Sequence, residues 1–329
     1  MILYYNPDVG SGIEYVGNII KSWIDEIQRP YIEVKDQDHP LHLIQYFIKN
    51  KPDIVIVNEE FDSICNALSY YKLFFPKTKI IYIYHVWQNI VYLYQHLQYD
   101  NRHKQFLLEL VDNIICVNYP PEDKRIPIHI KRKMYTAFMP MDPDIYKIKT
   151  LWRKRKNMFM YLGNIMKHKM SEDFLQKIQS TDITIDCYGK ISSDPDYAEL
   201  FNSCKNVVHK GYVSQEKVSD VMNEYKFFVM PHEGPEPFNI AMLQAIMCGT
   251  IPLIVNDRNA SSASWIDWAK DLYYSNNTVD EFIDNLINVS KENDLSNAEI
   301  ISQQISEIVN FRFDYKKFKK DFQNILINI

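Results

Sequence analysis

Residues 226–255 read KFFVMPHEGPEPFNIAMLQAIMCGTIPLIV, and their layout decides the fold class. The apolar run 227–230 has the length of a buried strand, the Pro- and Gly-rich stretch after it is a loop, and 241–247 carries helical spacing. Gly249 sits where that helix stops, and 251–255 is again a strand. A strand emptying into a helix N-terminus suits a polyanion, because unpaired backbone N–H groups and the helix dipole both face the ligand. Glu236 and Gln244 flank that turn, eight residues apart and on roughly one face if the residues between them are helical.

Working outward, the same alternation runs through the chain. Strands are predicted at 1–5, 31–34, 53–57, 79–84, 112–118 and 131–138, with helices at 13–27, 41–48 and 61–73 between the first four. Met139-Pro140-Met141-Asp142-Pro143-Asp144 breaks regular structure, and strands then resume at 159–162, 183–188 and 206–209, followed by a helix at 215–225. Past the opening stretch come helices at 279–289 and 299–309 and an amphipathic segment at 315–327. The fold class expected is α/β, with two Rossmann-like, doubly wound parallel sheets. The domains are expected at 1–145 and 146–312, with 313–329 as a final helix, and 329 residues suit two domains of ~150.

The composition, 46% apolar and 14% aromatic, is ample for two cores. Five cysteines (Cys65, Cys116, Cys187, Cys204, Cys248) are widely spaced and odd in number, which suits reduced thiols. No run approaches the ~20 apolar residues of a membrane span, and the start Met-Ile-Leu-Tyr-Tyr-Asn-Pro lacks a secretory signal, so a soluble cytoplasmic protein is expected. Gly10-x-Gly12 lacks the third glycine of a dinucleotide fingerprint, and no phosphate-loop motif occurs, which removes the best evidence for a dehydrogenase or an NTPase. Abundant Ile, Asn, Lys and Tyr hint at an AT-rich genome such as a phage's. The net charge of −5 hides thirteen Lys/Arg against two acids between Lys124 and Lys169, a local +11 that leaves about −16 elsewhere.

Glu236-Pro237-Phe238-Asn239 through Gln244 to Cys248-Gly249-Thr250-Ile251-Pro252 resembles the donor motif of retaining, nucleotide-sugar-dependent glycosyltransferases of GT-B architecture. Asn239 replaces the family's Gly, and Gln244 replaces the second Glu, whose carboxylate accepts ribose hydrogen bonds. The resemblance implies two domains facing a cleft, with the final helix crossing back to the first. It assigns Glu236 and His85, which follows the strand 79–84, to the catalytic centre. Lys169, Asn164 (where the family has Arg), Gly12 and the backbone at Phe238, Asn239 and Ile240 fall to the donor diphosphate, and Gln244 and Gly189 to the nucleoside. The donor implied is a UDP-sugar, with no further cofactor. Asp-x-Asp triplets at Asp36, Asp142 and Asp194 read as polar turns, so metal-independent chemistry is expected.

A second likeness, to phage α-glucosyltransferases of hydroxymethylated cytosine in DNA, shows in Tyr135-x-x-Phe138-x-Pro140-Met141-Asp142 and Lys147-x-Lys149-Thr150-x-Trp152. It coincides with the basic band and makes double-stranded DNA the expected acceptor, held by Lys131, Arg132, Arg153, Lys154, Arg155 and Lys156, with the target base flipped out. Tyr135, Phe138 and Trp152 are candidates for stacking on bases. A glycan or lipid-linked acceptor and a non-catalytic binding protein of the same fold remain alternatives.

Overall fold

The computed structural model describes residues 1–6, 12–35, 40–58, 62–84, 102–116, 126–136, 141–232, 239–255, 274–276, 278–291, 297–312 and 314–327. The chain divides into two compact units, Met1–Pro140 with Tyr315–Ile329, and Met141–Asp314. Each is built on a parallel six-stranded sheet among the described residues.

In the first unit, β1 (Ile2–Tyr5), β2 (Tyr31–Val34), β3 (Ile54–Asn58), β4 (Lys79–Tyr84), β5 (Asn113–Cys116) and β6 (Met134–Thr136) lie in the order β2-β1-β3-β4-β5-β6. Helices α1 (Gly12–Glu26), α2 (Pro40–Asn50), α3 (Asp62–Phe74) and α4 (Arg102–Leu110) connect them, with a short α5 (Ile128–Lys131) before β6. Strands β1 and β3 are buried along their whole length, which explains unbroken apolar runs such as Ile54-Val55-Ile56-Val57 instead of alternation. The strand expected from 131 begins later: Lys131 closes α5 and Arg132 is its C-cap, where φ −64° and ψ −21° are helical. At the sheet's switch point, the buried Asn58 donates to Asn6 across β3 and β1 at 3.0 Å.

The last helix, α12 (Tyr315–Ile327), belongs to this first unit. Trp23 of α1 meets Tyr315, Phe318 and Phe322 at ring-centroid distances of 5.5, 5.4 and 5.7 Å, each such pair contributing about 0.5–1.5 kcal/mol beyond burial. The Trp23 indole donates to the Tyr315 hydroxyl at 3.0 Å, and Arg29 donates to the Leu326 carbonyl at 2.7 Å. The stripe read from 315–327 therefore packs on α1.

The second unit runs β7 (Asn157–Leu162), α6 (Glu172–Ile178), β8 (Ile185–Tyr188), α7 (Pro195–Ser203), β9 (Val207–Gly211), α8 (Gln215–Met222) and β10 (Tyr225–Met230), in that order. It continues through α9 (Ile240–Met247), β11 (Ile251–Val255), β12 (Tyr274–Asn276), α10 (Val279–Lys291) and α11 (Ala298–Arg312). The strand order is β12-β11-β10-β7-β8-β9, so the chain reverses direction across the sheet between β7 and β10. The helix expected to reach 225 ends at Met222, because Tyr225 enters β10 opposite Asn157 and its hydroxyl donates to Asp186 at 2.6 Å. Asp194 caps α7, accepting from the amides of Asp196 and Tyr197 with Pro195 at the first helical position. Asp142 likewise accepts from the Asp144 amide at 2.8 Å, while Asp36 lies outside the described residues.

Candidate donor site at the switch point of the second sheet

Open α/β sheets bind ligands beyond the carboxyl ends of the strands, where the strand order reverses. In the second unit that place lies after Leu162 and Met230, the last residues of neighbouring strands β7 and β10. Gly163 leaves β7 at φ +152° and donates to the Tyr188 carbonyl at 3.0 Å, and the Asn164 carbonyl accepts from the Tyr161 hydroxyl at 2.9 Å. Ile165 is buried and hydrogen-bonded to Lys190, and Met170, also buried, accepts from Tyr197 at 2.7 Å. Between these two anchors the turn 166–169 displays Lys167, His168 and Lys169. Lys167 pairs with Glu172 at 2.7 Å, and Lys169 is half-buried.

On the other side, β10 leads into Pro231 and His232, both buried. The rings of His232 and His168 meet edge-on, with centroids 6.0 Å apart and planes at 84°. This contact brings the loop after β7 and the loop after β10 together. The sequence reading passed over His232, although the argument that singled out His85, a histidine directly after a buried strand, applies to it equally. His85, Glu236 and Phe238 lie outside the described residues.

Asn239 is the N-cap of α9, its side-chain oxygen accepting from the Met242 amide at 2.8 Å, and Ile240 opens the helix. The residue that departs from the family's Gly thus performs a capping task worth about 1 kcal/mol. Gln244 is buried one turn further on, and its amide donates to the Tyr146 hydroxyl at 2.9 Å, which turns its carbonyl oxygen the other way. Tyr146 also receives the Gln215 amide. Gly189 (φ +136°) follows β8, and a Cβ there would stand 1.9 Å from the Gly163 carbonyl oxygen, so the loops after β7 and β8 are in backbone contact. Gly12, the first residue of α1, belongs to the other unit.

The basic run behind the domain boundary is not uniformly exposed. Arg153, Lys154 and Lys156 face solvent, but Arg155 is 4% exposed and spends its guanidinium inside the unit. It donates to the carbonyls of Thr150, Tyr225 and Cys248 and to the Thr250 hydroxyl. Arg155 is therefore a structural cation and not an acceptor contact. Trp152 is also a core residue, donating to the Lys226 carbonyl at 2.9 Å and packing edge-on against Phe227, so it cannot stack on a base. Tyr135 is 45% exposed, and Phe138 lies outside the described residues.

The Cys-Gly-Thr-x-Pro turn has a matching physical explanation. Gly249 adopts φ +75°, where a Cβ would meet Ser302 Oγ at 2.6 Å, and the Thr250 hydroxyl donates to the Met222 carbonyl at 2.9 Å. Among the described residues the ladder from β11 to β12 begins at Leu253, and Pro252, with no N–H to give, pairs with β10. All five cysteines are buried free thiols, and burial pushes Cys248 up to about 11, leaving it protonated near neutrality.

Residues 142–305 match the family of glycosyl transferases group 1. The family's span lies within the second unit and holds the β7 turn, the buried histidine and the capped helix. No curated protein matches the chain in sequence. Among solved structures, HepE of Anabaena in complex with UDP-glucose is similar at a TM-score of 0.73 and 12% identity, over 100% of this chain and 99% of that one. A glycosyltransferase from Rickettsia africae gives 0.65 at 13% identity, over 100% and 99%. The pneumococcal O-GlcNAc transferase GtfA in complex with UDP and GlcNAc gives 0.62 at 15%, over 86% of this chain and 60% of that one. At these identities the likeness is one of fold.

Proposed function

We propose that the chain is a glycosyltransferase whose second unit binds a nucleotide-sugar donor, a UDP-sugar, at the carboxyl ends of β7 and β10. The observation that carries this reading is the contact between His168 and His232, which joins the Lys169 turn to the end of β10 at the switch point inside the family-matched span. The UDP and UDP-glucose bound by similar folds support the donor class.

Departure of a nucleoside diphosphate leaves charge on its terminal phosphate, and donors fixed in place around it lower the barrier most. Lys169, the dipole of α9 and the backbone at Phe238, Asn239 and Ile240 supply that stabilisation, with Asn164 beside them. The carbonyl of Gln244 accepts from a ribose hydroxyl, and Gly189 lets the nucleoside approach backbone. The resemblance gives Glu236 the task of orienting the sugar, His85 a contact with the sugar, and Gly12 a place by the diphosphate or acceptor. In the retaining, metal-independent course, the acceptor oxygen bonds to the anomeric carbon on the face the leaving oxygen quits. The acceptor proton passes to the departing phosphate.

Calorimetric titration with UDP tests the donor site. Lys169→Ala is expected to weaken UDP binding about tenfold or more while melting is unchanged, because a charge-assisted phosphate bond is lost. An unaltered affinity would remove Lys169 from the site.

For the acceptor, the proposal is a hydroxymethylated pyrimidine in duplex DNA, supported by the exposed cations Arg153, Lys154 and Lys156, with Lys131 and Arg132 on the first unit. Its base of support is narrower without Arg155. A mass-spectrometric screen of nucleotide sugars against hydroxymethylated and plain DNA should find product only on the former. Replacing Arg153, Lys154 and Lys156 by Gln should reduce that product without changing donor hydrolysis. Product on a glycan or lipid-linked sugar instead would sink the DNA acceptor and leave the donor site standing. A protein that binds UDP but never hydrolyses a UDP-sugar would be the non-catalytic alternative.

A further inference from the structure

At the amino ends of β3 and β4, opposite the switch point marked by Asn6 and Asn58, the first unit opens into a groove of about 600 Å³. Lys51, Phe74, Phe75, Lys77 and Lys79 are among its walls. Three large side chains at the end of α3 protrude beside it: Tyr70, Leu73 and Phe74 are 57%, 58% and 76% exposed. Apolar groups clustered this way on a monomer mark an interaction surface more often than chance exposure. The acids nearby are already engaged. Asp53 holds the amino group of Met1 at 2.5 Å, and Asp112 accepts from Lys72 at 2.9 Å and Lys79 at 3.3 Å. Lys49, Lys51 and Lys77 are exposed, and Lys51 and Lys77 make no ion pair among the described residues. A chain of net charge −5 therefore carries here a cationic face with aromatic and aliphatic tips.

We propose that this face docks the protein on an anionic phospholipid surface. Lysines reach headgroup phosphates on long flexible stems while Leu73 and Phe74 enter the interface below them and Tyr70 sits at headgroup depth. A pocket for a free anion would present buried donors, whereas these cations stand exposed at a rim. A second copy of the chain would set lysines against lysines, so charge complementarity favours lipid. The inference is independent of the proposed function, because no donor-site residue lines this groove.

Co-sedimentation of the full chain with vesicles tests it. Binding is expected to vesicles containing phosphatidylglycerol and not to phosphatidylcholine alone, and to weaken as salt rises. Lys51→Glu with Lys77→Glu should lower partitioning about tenfold or more, and Leu73→Ser with Phe74→Ser should lower it several-fold while keeping the salt dependence. All four positions are exposed, so melting should stay at the wild-type value; a variant that melts early is replaced by the single Lys77→Gln, for which a severalfold loss is expected. Equal binding to neutral vesicles, or none to either, would overturn the proposal. So would binding of inorganic polyphosphate at this face without vesicle binding, or a concentration-dependent dimer that Phe74→Ser dissolves.

Discussion

Arg155→Ala should lower the stability of the second unit by about 3–5 kcal/mol, the cost of leaving buried hydrogen-bonding groups without their partner. The guanidinium reaches the Thr150 carbonyl at 3.1 Å, the Tyr225 carbonyl at 2.8 Å, the Thr250 hydroxyl at 2.9 Å and the Cys248 carbonyl at 2.5 Å. These acceptors tie together the chain entering the unit, the start of β10 and the C-terminus of α9, whose dipole presents its negative end to the cation. Burial pulls the guanidinium down to about 10, so it stays charged at neutral pH. Arg155→Lys should recover only part of the loss, because a single ammonium cannot span acceptors arranged for a fork. Urea denaturation reads the difference. A loss below about 1 kcal/mol for the alanine variant would mean that water or a neighbour replaces the guanidinium.

Gly189→Ala is expected to cost about 2–4 kcal/mol and to weaken UDP binding more than Lys169→Ala does. At φ +136° an L side chain is strained, and its Cβ would lie 1.9 Å from the Gly163 oxygen and 2.8 Å from the Gly163 carbonyl carbon. Those atoms are backbone, so relief requires the loops after β7 and β8 to part, and the Lys169 turn hangs from the first of them. Gly211→Ala provides the contrast within the same sheet. There φ is +84° but nothing lies within 4 Å of the added carbon, so only the conformational cost of about 1 kcal/mol is expected, with UDP affinity retained. Equal effects of the two substitutions on UDP affinity would argue that the contact between the loops has no bearing on the site.

The sheets are legible in the sequence because central strands such as β1, β3 and β11 are buried along their whole length and read as continuous apolar runs. Lys79–Tyr84 and Ile251–Val255 are bounded as their residues suggest. β12 was not legible, since three residues carry no periodicity. Helix α7 is readable from Asp194-Pro195, an N-cap followed by a proline at the first helical position, although the same residues also carry the Asp-x-Asp spacing of a polar turn. In the run Arg153-Lys154-Arg155-Lys156, composition gives no sign of which cation turns inward. The reason lies in the 3₁₀ turn at Trp152–Lys154, where positions three apart share a face, so Arg155 follows the buried Trp152 into the core. Near the donor motif, local propensity marks Asn239 as a cap, whereas His232 becomes notable only once the strand order sets β10 beside β7.

Hydrogen exchange of the intact chain with and without saturating UDP tests the central claim most directly. Protection is expected in peptides covering 163–170 and 239–243, the turn after β7 and the N-terminus of α9, and it should be lost in the Lys169→Ala protein at the same UDP concentration. Absence of saturable UDP binding, or protection confined to segments outside the β7–β10 switch point, would contradict the account.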